Sequence, residues 1–278
     1  MELRITTLIE NMPDASGQLA YEHGLSLLIE FQGRRILFDT GQSGDFLNNM
    51  SVLGKSVRES VTIIISHGHY DHSGGVPALV EALEKTVPMY VGTEFFEKKY
   101  KLLPDGTYHY NGNPFTEEDL PEEKVLLRKV TEDVTYLQED ILLFKNFSQV
   151  SDFEQPNPKF FLQKEEGYVQ DSFAEELALG LRTTKGLVLV VGCSHVGISN
   201  ILQSVAKKVQ EPIYAVLGGT HLVEADANRL KKTMEAFRQY GVELVAVSHC
   251  TGEEGIACAR ETFGEHFVLN NTGNVFEI

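Results

Sequence analysis

The segment His67-Gly68-His69-Tyr70-Asp71-His72 constrains this chain more than any other part of its sequence. It directly follows residues 61–65, a short β-branched run that predicts a buried strand. Its side chains are therefore expected in a loop at the carboxyl end of that strand, where open α/β sheets place ligands. Imidazole nitrogens and carboxylate oxygens are ligands that zinc, manganese and iron take in proteins, so the segment predicts a metal site.

The spacing within this segment suggests two neighbouring ions. His67 and His69 are two residues apart in an extended stretch, so their side chains point the same way. Asp71 and His72 lie just beyond them and are placed to hold a neighbouring ion. The alternative is a polar loop that is rich in histidine by chance, but such a cluster after a buried strand has no simple structural role.

This His-x-His-x-Asp-His segment resembles the signature of the metallo-β-lactamase superfamily. Three further segments resemble motifs of the same superfamily: Leu37-Phe38-Asp39-Thr40-Gly41, Val191-Gly192-Cys193-Ser194-His195 and Ser248-His249-Cys250-Thr251-Gly252. A narrower resemblance is to a branch of metal-dependent hydrolases that includes a dihydropterin synthase of methanopterin biosynthesis. It is carried by residues 22–26, 192–198, 218–222 and 249–252, so the resemblance covers most of the chain.

The resemblance implies an α/β fold of four layers, an αβ/βα sandwich of the metallo-β-lactamase type. The hydrophobic pattern agrees, because apolar strands alternate with amphipathic helices expected at residues 46–53, 76–85, 198–209, 225–240 and 252–262. A final strand is expected at residues 267–269. The length favours a single domain over residues 1–278, built around one large core.

Residues 93–177 break this regular pattern, with five prolines, many acidic residues and scattered aromatic residues. Strands are still expected within this stretch at 134–136, 141–144 and 160–163. One interpretation is an insertion that forms a lid or wall over the metal cleft, because loops on a rigid scaffold often carry specificity. The other is an insertion that makes only its own small hydrophobic contacts. An acidic cluster at 171–176 is expected to be a solvated helix start.

Two more histidines are candidate ligands because they follow predicted buried strands. His195 follows the run 187–191 and His249 follows the run 244–247, and strands that end at one edge of a sheet bring such residues together. The resemblance implies a first ion on His67, His69 and His195, and a second on Asp71, His72 and His249. Asp39 would accept a hydrogen bond that orients a ligand histidine, with a simple turn carboxylate as the alternative.

The expected cofactor is one or two divalent metal ions, with zinc first and manganese or iron as alternatives. By the resemblance, a pair of ions about 3.5–4 Å apart shares a hydroxide and lowers its pKa toward neutrality, which provides a nucleophile. Catalysis is expected to depend on Asp71 and on a further residue, His221. Glu22 and His23, in an early loop, are candidates to contact substrate; an exposed pair is the alternative.

One position departs from the superfamily, which places an aspartate that bridges both ions after the strand at 213–217. This chain has Gly218-Gly219-Thr220-His221 there, so the second ion is expected to bind more weakly, or to be bridged by water or substrate. His221 would be a proton donor or a contact to an anionic substrate rather than a replacement ligand. A histidine that merely caps the loop is the alternative.

Three functions are compatible with these residues. The first is a metal-dependent hydrolase that uses a metal-bound hydroxide on a phosphate-bearing, pyrophosphate-bearing or ester substrate. The second is a dihydropterin synthase-like transferase that condenses a pterin pyrophosphate with an aryl-amine ribose phosphate. The third is a non-catalytic or redox metal-binding protein. Bound pterin would favour the synthase, and turnover of a generic phosphodiester would favour the hydrolase.

Composition narrows the partners and the compartment. A formal net charge of −16 argues against non-specific binding of nucleic acid or of an anionic membrane, so a small anionic molecule is the expected partner. Three cysteines and no visible signal peptide indicate a reducing cytoplasm. Cys193 and Cys250 are expected to be small buried residues, with metal ligation by Cys250 as a minor alternative. The oligomeric state stays open.

Overall fold

A computed structural model describes residues 3–58 and 61–278 of the chain. Its strands, in chain order, are β1 (Leu3–Ile9), β2 (Ser26–Phe31), β3 (Arg34–Phe38), β4 (Thr62–Ile64), β5 (Val87–Gly92), β6 (Lys99–Leu102), β7 (Tyr108–Tyr110), β8 (Val125–Val130), β9 (Val134–Gln138), β10 (Ile141–Phe144), β11 (Phe160–Lys164), β12 (Gly167–Gln170), β13 (Ala178–Thr183), β14 (Gly186–Val191), β15 (Ile213–Gly219), β16 (Leu244–Ser248) and β17 (Val275–Glu277). Its α-helices are α1 (Asp45–Val52), α2 (Tyr70–Ser73), α3 (Val76–Ala82), α4 (Ile198–Val209), α5 (Ala227–Gln239) and α6 (Gly252–Phe263). Short 3-10 turns occupy Glu117–Asp119, His249–Thr251 and Gly264–His266.

Two large sheets pack face to face and form the centre of the molecule. The first sheet has the order β17-β1-β2-β3-β4-β5-β8, and the second has the order β16-β15-β14-β13-β10-β9. Apolar side chains of both sheets share one buried cluster, in which Ile29 and Phe38 of the first sheet join Val190 and Leu217 of the second. This burial of two apolar sheet faces against each other is the inner half of the expected sandwich.

Helices cover the outer faces of both sheets. Phe46 of α1 and Leu79 of α3 pack in a cluster with Ile63 on the first sheet. Residues of α4, α5 and α6, among them Leu202 and Phe237, pack in a cluster with strands of the second sheet. The four layers are therefore helix, sheet, sheet and helix, which confirms the predicted αβ/βα sandwich. No helix in the described residues is long and apolar enough to cross a membrane.

The strands that precede the candidate ligands run in parallel. In the first sheet β3, β4 and β5 are parallel neighbours, and in the second β14, β15 and β16 are parallel neighbours. The loops after β4, β14 and β16 are therefore the ones that carry the candidate histidines. The α/β rule that ligands bind beyond the carboxyl ends of parallel strands places the site at this edge.

The stretch 93–177 is more regular than its composition suggests. The three strands expected within it are present as parts of β9, β10 and β11. It also contains β8, which extends the first sheet, and β6, β7 and β12, which with β11 form a third sheet of order β12-β11-β6-β7. β6, β7 and β12 have three or four residues each, too few to show a periodic pattern, and β6 joins the sheet by pairing with the distant β11.

The helices lie within a few residues of the predicted positions, but the last predicted strand is wrong. Residues 267–269 form only one isolated bridge, between Phe267 and Val245. The final strand is β17, which pairs antiparallel with β1 and places Phe276 opposite Ile5. With three residues and one buried side chain, β17 is too short to show a periodic pattern in the sequence.

Candidate metal centre

Three histidines converge at the carboxyl ends of β4 and β14. His67 and His69 follow β4, and His195 follows β14; all three are buried. His67 Nε2 lies 3.1 Å from His69 Nδ1, and the His195 ring centroid lies 4.8 and 4.7 Å from those of His67 and His69. One nitrogen from each ring lies within 4.8 Å of the other two, so the three form a first donor cluster.

The first cluster contains ring nitrogens that have no partner in the described protein. His69 Nε2 and both ring nitrogens of His195 are buried without a hydrogen bond. Leaving such groups unpaired is costly in a protein interior. Burial also holds the pKa of all three rings well below the ordinary histidine value, so the rings are neutral, as metal ligation requires. The donor set therefore fits a divalent ion.

A second donor cluster lies beside the first and consists of Asp71, His72, Cys193 and His249. His72 Nε2 lies 3.1 Å from Cys193 Sγ and 3.2 Å from His249 Nε2. Asp71 Oδ2 lies 3.2 Å from His249 Nε2, and all four side chains are buried. One carboxylate, two imidazoles and one thiol form a four-donor set that suits zinc.

The sequence predicted both Cys193 and Cys250 as small buried residues, with Cys250 as the minor candidate for a ligand, whereas the structure places Cys193 in the second donor cluster. Cys250 lines the same cleft, where its Sγ accepts the backbone N–H of His221 at 3.3 Å, but it is not part of the second donor cluster. Both cysteines lie next to a candidate histidine in the sequence, so adjacency does not distinguish them. The turn after β14 places the thiol of Cys193 against His72.

Several residues at this edge adopt the left-handed backbone conformation that non-glycine residues rarely take. The φ angles are 58° at Asp39, 60° at Ser194, 45° at His221 and 56° at His249. Each of these residues follows a strand of the two central sheets. Such conformations cost about 1–3 kcal/mol each and tend to persist at functional sites, where they turn side chains sharply toward a common point.

Asp39 lies behind the second cluster and is fully buried. Its Oδ2 lies 2.7 Å from His72 Nδ1, and its two oxygens also accept the backbone N–H and the hydroxyl of Ser66. Burial lowers the pKa of His72, but the charges of Asp39 and Asp71 outweigh it and raise that pKa to about 9. The contact holds Nδ1 of His72 toward Asp39 and leaves Nε2 toward the donor cluster.

Two further buried carboxylates hold the loops that carry ligands. Glu176 accepts the backbone N–H groups of His195 and Val196 at 2.8 and 2.9 Å, and Glu10 accepts the backbone N–H of His249 at 2.6 Å. Burial raises the pKa of Glu176 to about 7 and also raises the pKa of Glu10. The expectation of a solvated helix start at 171–176 is therefore wrong, because Asp171, Glu175 and Glu176 are each 1% exposed.

A cleft of about 440 Å³ opens onto both clusters. His23 lines it, with Nε2 3.2 Å from Asp71 Oδ2 and its ring stacked on His249 at 5.0 Å. His221 also lines it, with its ring 4.4 Å from that of His195, and burial lowers its pKa to about 4. Glu22 is not among the lining residues, because its carboxylate accepts the backbone N–H groups of Gln42 and Ser43.

Comparison with known proteins agrees with this geometry. The sequence pattern described as the metallo-beta-lactamase superfamily matches residues 21–147. The 7,8-dihydropterin-6-methyl-4-(beta-D-ribofuranosyl)-aminobenzene-5'-phosphate synthase of Methanocaldococcus jannaschii is 32% identical, over 99% of this chain and 96% of that protein. The chain belongs to the metallo-β-lactamase superfamily. It is therefore an enzyme of that superfamily.

Two solved structures extend the comparison. A metal-dependent hydrolase of the beta-lactamase superfamily is 30% identical, with a TM-score of 0.86 and 99% of both chains covered. A diphosphatase from the PhnP family is 11% identical, with a TM-score of 0.54, and shares the fold alone. The two central sheets and the donor clusters thus stand on a metallo-β-lactamase scaffold that this chain keeps over its whole described length.

In this superfamily member, the loop after β15 offers no carboxylate to the clusters, as the sequence indicated. His221 in that loop lies beside His195 but belongs to neither donor cluster. The fourth donor of the second cluster comes from the neighbouring strand end, as the thiol of Cys193. The second cluster therefore has four candidate donors, one more than the sequence predicted.

Proposed function

We propose that this chain is a metal-dependent hydrolase that acts on a small molecule bearing a phosphate, a pyrophosphate or an ester. The observation that carries the proposal is the pair of donor clusters at the floor of one cleft. The clusters are adjacent, since the ring centroids of His67 and His72 lie 4.3 Å apart. Adjacent donor clusters are what a hydrolytic site for two neighbouring ions requires.

The side chains would divide between two ions. His67, His69 and His195 would hold the first, and Asp71, His72, Cys193 and His249 would hold the second. Zinc suits this set better than manganese, because a thiol accompanies the imidazoles in the second cluster. When bound, the ions supply Lewis acidity that lowers the pKa of water and neutralises charge on the substrate.

The chain's own residues then position the substrate. His221 and His23 face the cleft without belonging to a donor cluster, so they are available to contact an anionic substrate. Asp39, Glu10 and Glu176 hold the ligand side chains and loops in place through buried hydrogen bonds. The contacts of these three acids reduce the motion of the donors, which favours a constant geometry at the reacting centre.

A synthase is the second candidate, and one observation favours it. The synthase of Methanocaldococcus jannaschii is similar over almost the full length of both proteins. A transferase of this kind would condense a pterin pyrophosphate with an aryl-amine ribose phosphate, with pyrophosphate as the leaving group. The same donor clusters serve either reaction, because both need a cleft that neutralises phosphate charge.

The decisive experiment measures metal content and substrate class together. Protein purified without chelator is analysed for metals and assayed with a phosphodiester, inorganic pyrophosphate, a lactone, and a pterin pyrophosphate with and without an aryl amine. We expect about two ions per chain and hydrolysis of at least one substrate by water alone. Release of pyrophosphate only when the amine is present would replace the hydrolase by the synthase.

The matched variants are His67→Ala and His266→Ala. His67 is buried in the first cluster, whereas His266 is exposed in a 3-10 turn outside the cleft. We expect His67→Ala to lose the first ion and the activity, because it removes one of three donors. Full metal content and full rate in His67→Ala would contradict the proposed site.

A further inference from the structure

The third sheet places one row of side chains on the wall of the cleft. Phe160 of β11 lies opposite Lys101 of β6, and Lys101 lies opposite His109 of β7. Directly opposed residues in antiparallel strands present their side chains on the same face. All three residues line the cleft that opens onto the donor clusters.

This row extends outward from the metal centre. The Phe160 ring centroid lies 5.2 Å from that of His69 and 5.1 Å from that of His195. Lys101 Nζ lies 5.7 Å from the Phe160 centroid on the same row. The ammonium of Lys101 is therefore no farther than about 11 Å from the His195 ring, and an aromatic face lies between them.

Lys101 differs in its charge environment from three other exposed lysines of residues 93–177. Lys129, Lys159 and Lys164 each form an ion pair with a glutamate. Across residues 3–58 and 61–278, no carboxylate lies within ion-pairing distance of Lys101, whose side chain is exposed.

Glu224 on the cleft wall does not compensate Lys101. Glu224 lines the cleft, but its carboxylate is already bound by Lys159 at 2.6 Å and Asn157 at 2.7 Å. An uncompensated cation at the mouth of a cleft attracts anions, and here it does so in a chain whose formal net charge is −16.

We propose that Lys101 and His109 bind a phosphate monoester at the far end of the substrate. The proposal rests on the proposed function only for the reacting end, which lies at the donor clusters. An ammonium and an imidazole on neighbouring strands offer donors to separate phosphate oxygens, and charge-assisted hydrogen bonds of this kind are strong. The substrate class is thus a phosphate monoester whose reacting group lies apart from the phosphate.

The test compares two ligands that differ only in the distal anion. Binding of 4-phosphonobenzoate and of benzoate to the metal-loaded protein is measured by calorimetry for the wild type, Lys101→Ala, Lys101→Arg and His109→Gln. Lys164→Ala is the matched control, because Lys164 is an exposed lysine of the same sheet that pairs with Glu97. Metal analysis and circular dichroism accompany each variant.

We expect Lys101→Ala to lower the affinity for 4-phosphonobenzoate on the order of tenfold or more. His109→Gln should lower this affinity less, and Lys101→Arg should retain most of it. Benzoate affinity should be the same in all variants, and Lys164→Ala should match the wild type. Equal affinity of Lys101→Ala and wild type for 4-phosphonobenzoate would overturn the proposal, as would an equal loss for benzoate.

The result of this binding experiment is independent of whether the proposed hydrolase function is correct. Neither ligand reacts, so Lys101-dependent binding stands even if the chain hydrolyses nothing. Conversely, a hydrolase whose phosphonate affinity is independent of Lys101 keeps its proposed reaction and loses only the distal subsite.

Discussion

Cys193 is the residue that most changes the description of the second donor cluster. Its Sγ lies 3.1 Å from His72 Nε2, and the thiol is buried. A thiol at this position is a softer ligand than a carboxylate and favours zinc over manganese. Cys250 follows β16, two strands farther along the sheet, where its Sγ accepts a backbone N–H instead.

We predict that Cys193→Ser weakens binding of the second ion by about 10–100-fold and leaves the first ion in place, because the serine hydroxyl is a poorer donor than a thiolate. Cobalt-substituted protein provides the measurement, since a thiolate ligand produces an intense charge-transfer absorption that serine cannot produce. Cys193→Asp should restore binding of the second ion without that absorption.

Cys250→Ser is the control for this prediction. It should keep both the charge-transfer absorption and the metal content of the wild type. Loss of the absorption in Cys250→Ser but not in Cys193→Ser would make Cys250 the ligand, as the sequence alone had allowed.

At the scale of elements, a buried ion pair attaches β6 of the third sheet to the segment between β12 and β13. Lys99 of β6 is 1% exposed, and its Nζ lies 2.7 Å from Asp171 and 2.6 Å from Glu175. Gly68, between His67 and His69, packs closely here: a Cβ on Gly68 would lie 2.5 Å from the Phe95 carbonyl oxygen. The same Cβ would lie 3.1 Å from Lys99 Cε, so β6 of the third sheet packs directly against the motif loop.

We predict that Lys99→Met destabilises the protein by about 3–5 kcal/mol, because it leaves two buried carboxylates without a cation. Lys164→Met, which breaks an exposed pair on the same sheet, should cost about 1 kcal/mol or less. Chemical denaturation followed by fluorescence or circular dichroism measures both free energies of unfolding. Equal losses of unfolding free energy in the two variants would show that the buried ion pair stabilises the protein no more than the exposed one.

The pH dependence of these variants has a definite sign. Burial lowers the pKa of Lys99, but Glu175 and Asp171 outweigh it and raise that pKa, so its stabilisation persists at neutral pH and fades only in the alkaline range. Burial raises the pKa of Glu175. In Lys99→Met the carboxylate of Glu175 loses its cation and protonates more readily, so the stability deficit should be larger at pH 8 than at pH 5.

The short strands of the third sheet show why the insertion was hard to predict. β6, β7 and β12 have three or four residues each, and the hairpins β6-β7 and β11-β12 join into one sheet only through the long-range pairing of β6 with β11. Their pairing depends on long-range contacts such as that of Lys99 with Asp171, which are 72 residues apart. Helices such as α4 were predictable because their apolar residues repeat within one local segment.

At the scale of the whole molecule, the candidate metal centre lies between two halves of the chain. The His-x-His-x-Asp-His segment follows β4 of the first sheet. In the second sheet, Cys193 and His195 follow β14 and His249 follows β16. Ions bound between them would stabilise the folded state and not the unfolded chain, in which the donors are far apart. When the free ion concentration is 100 times Kd, each bound ion adds about 2.7 kcal/mol to the free energy of unfolding.

We predict that removing the ions with a chelator lowers the Tm by about 5 °C or more. Restoring zinc should restore the Tm, and the shift should be smaller in His67→Ala because one binding site is already lost. Differential scanning calorimetry with and without chelator is the measurement. An unchanged Tm on complete metal removal would mean that the two halves need no ion to stay together.

What the sequence determined by itself is local. The strand before His67, the common direction of His67 and His69, and the presence of ligands after three strands all follow from neighbouring residues and simple periodicity. The resemblance to the superfamily was also evident, because each of its motifs is one short, continuous segment of the chain.

Only the tertiary structure decided which distant groups meet. It selected Cys193 over Cys250, turned Glu22 away from the cleft, and buried the acids at 171–176 that composition alone assigned to solvent. It also turned the row from Phe160 to His109 toward the metal centre. Each of these outcomes depends on strand order and on charge compensation between remote residues, and neither is encoded in the local pattern of one segment.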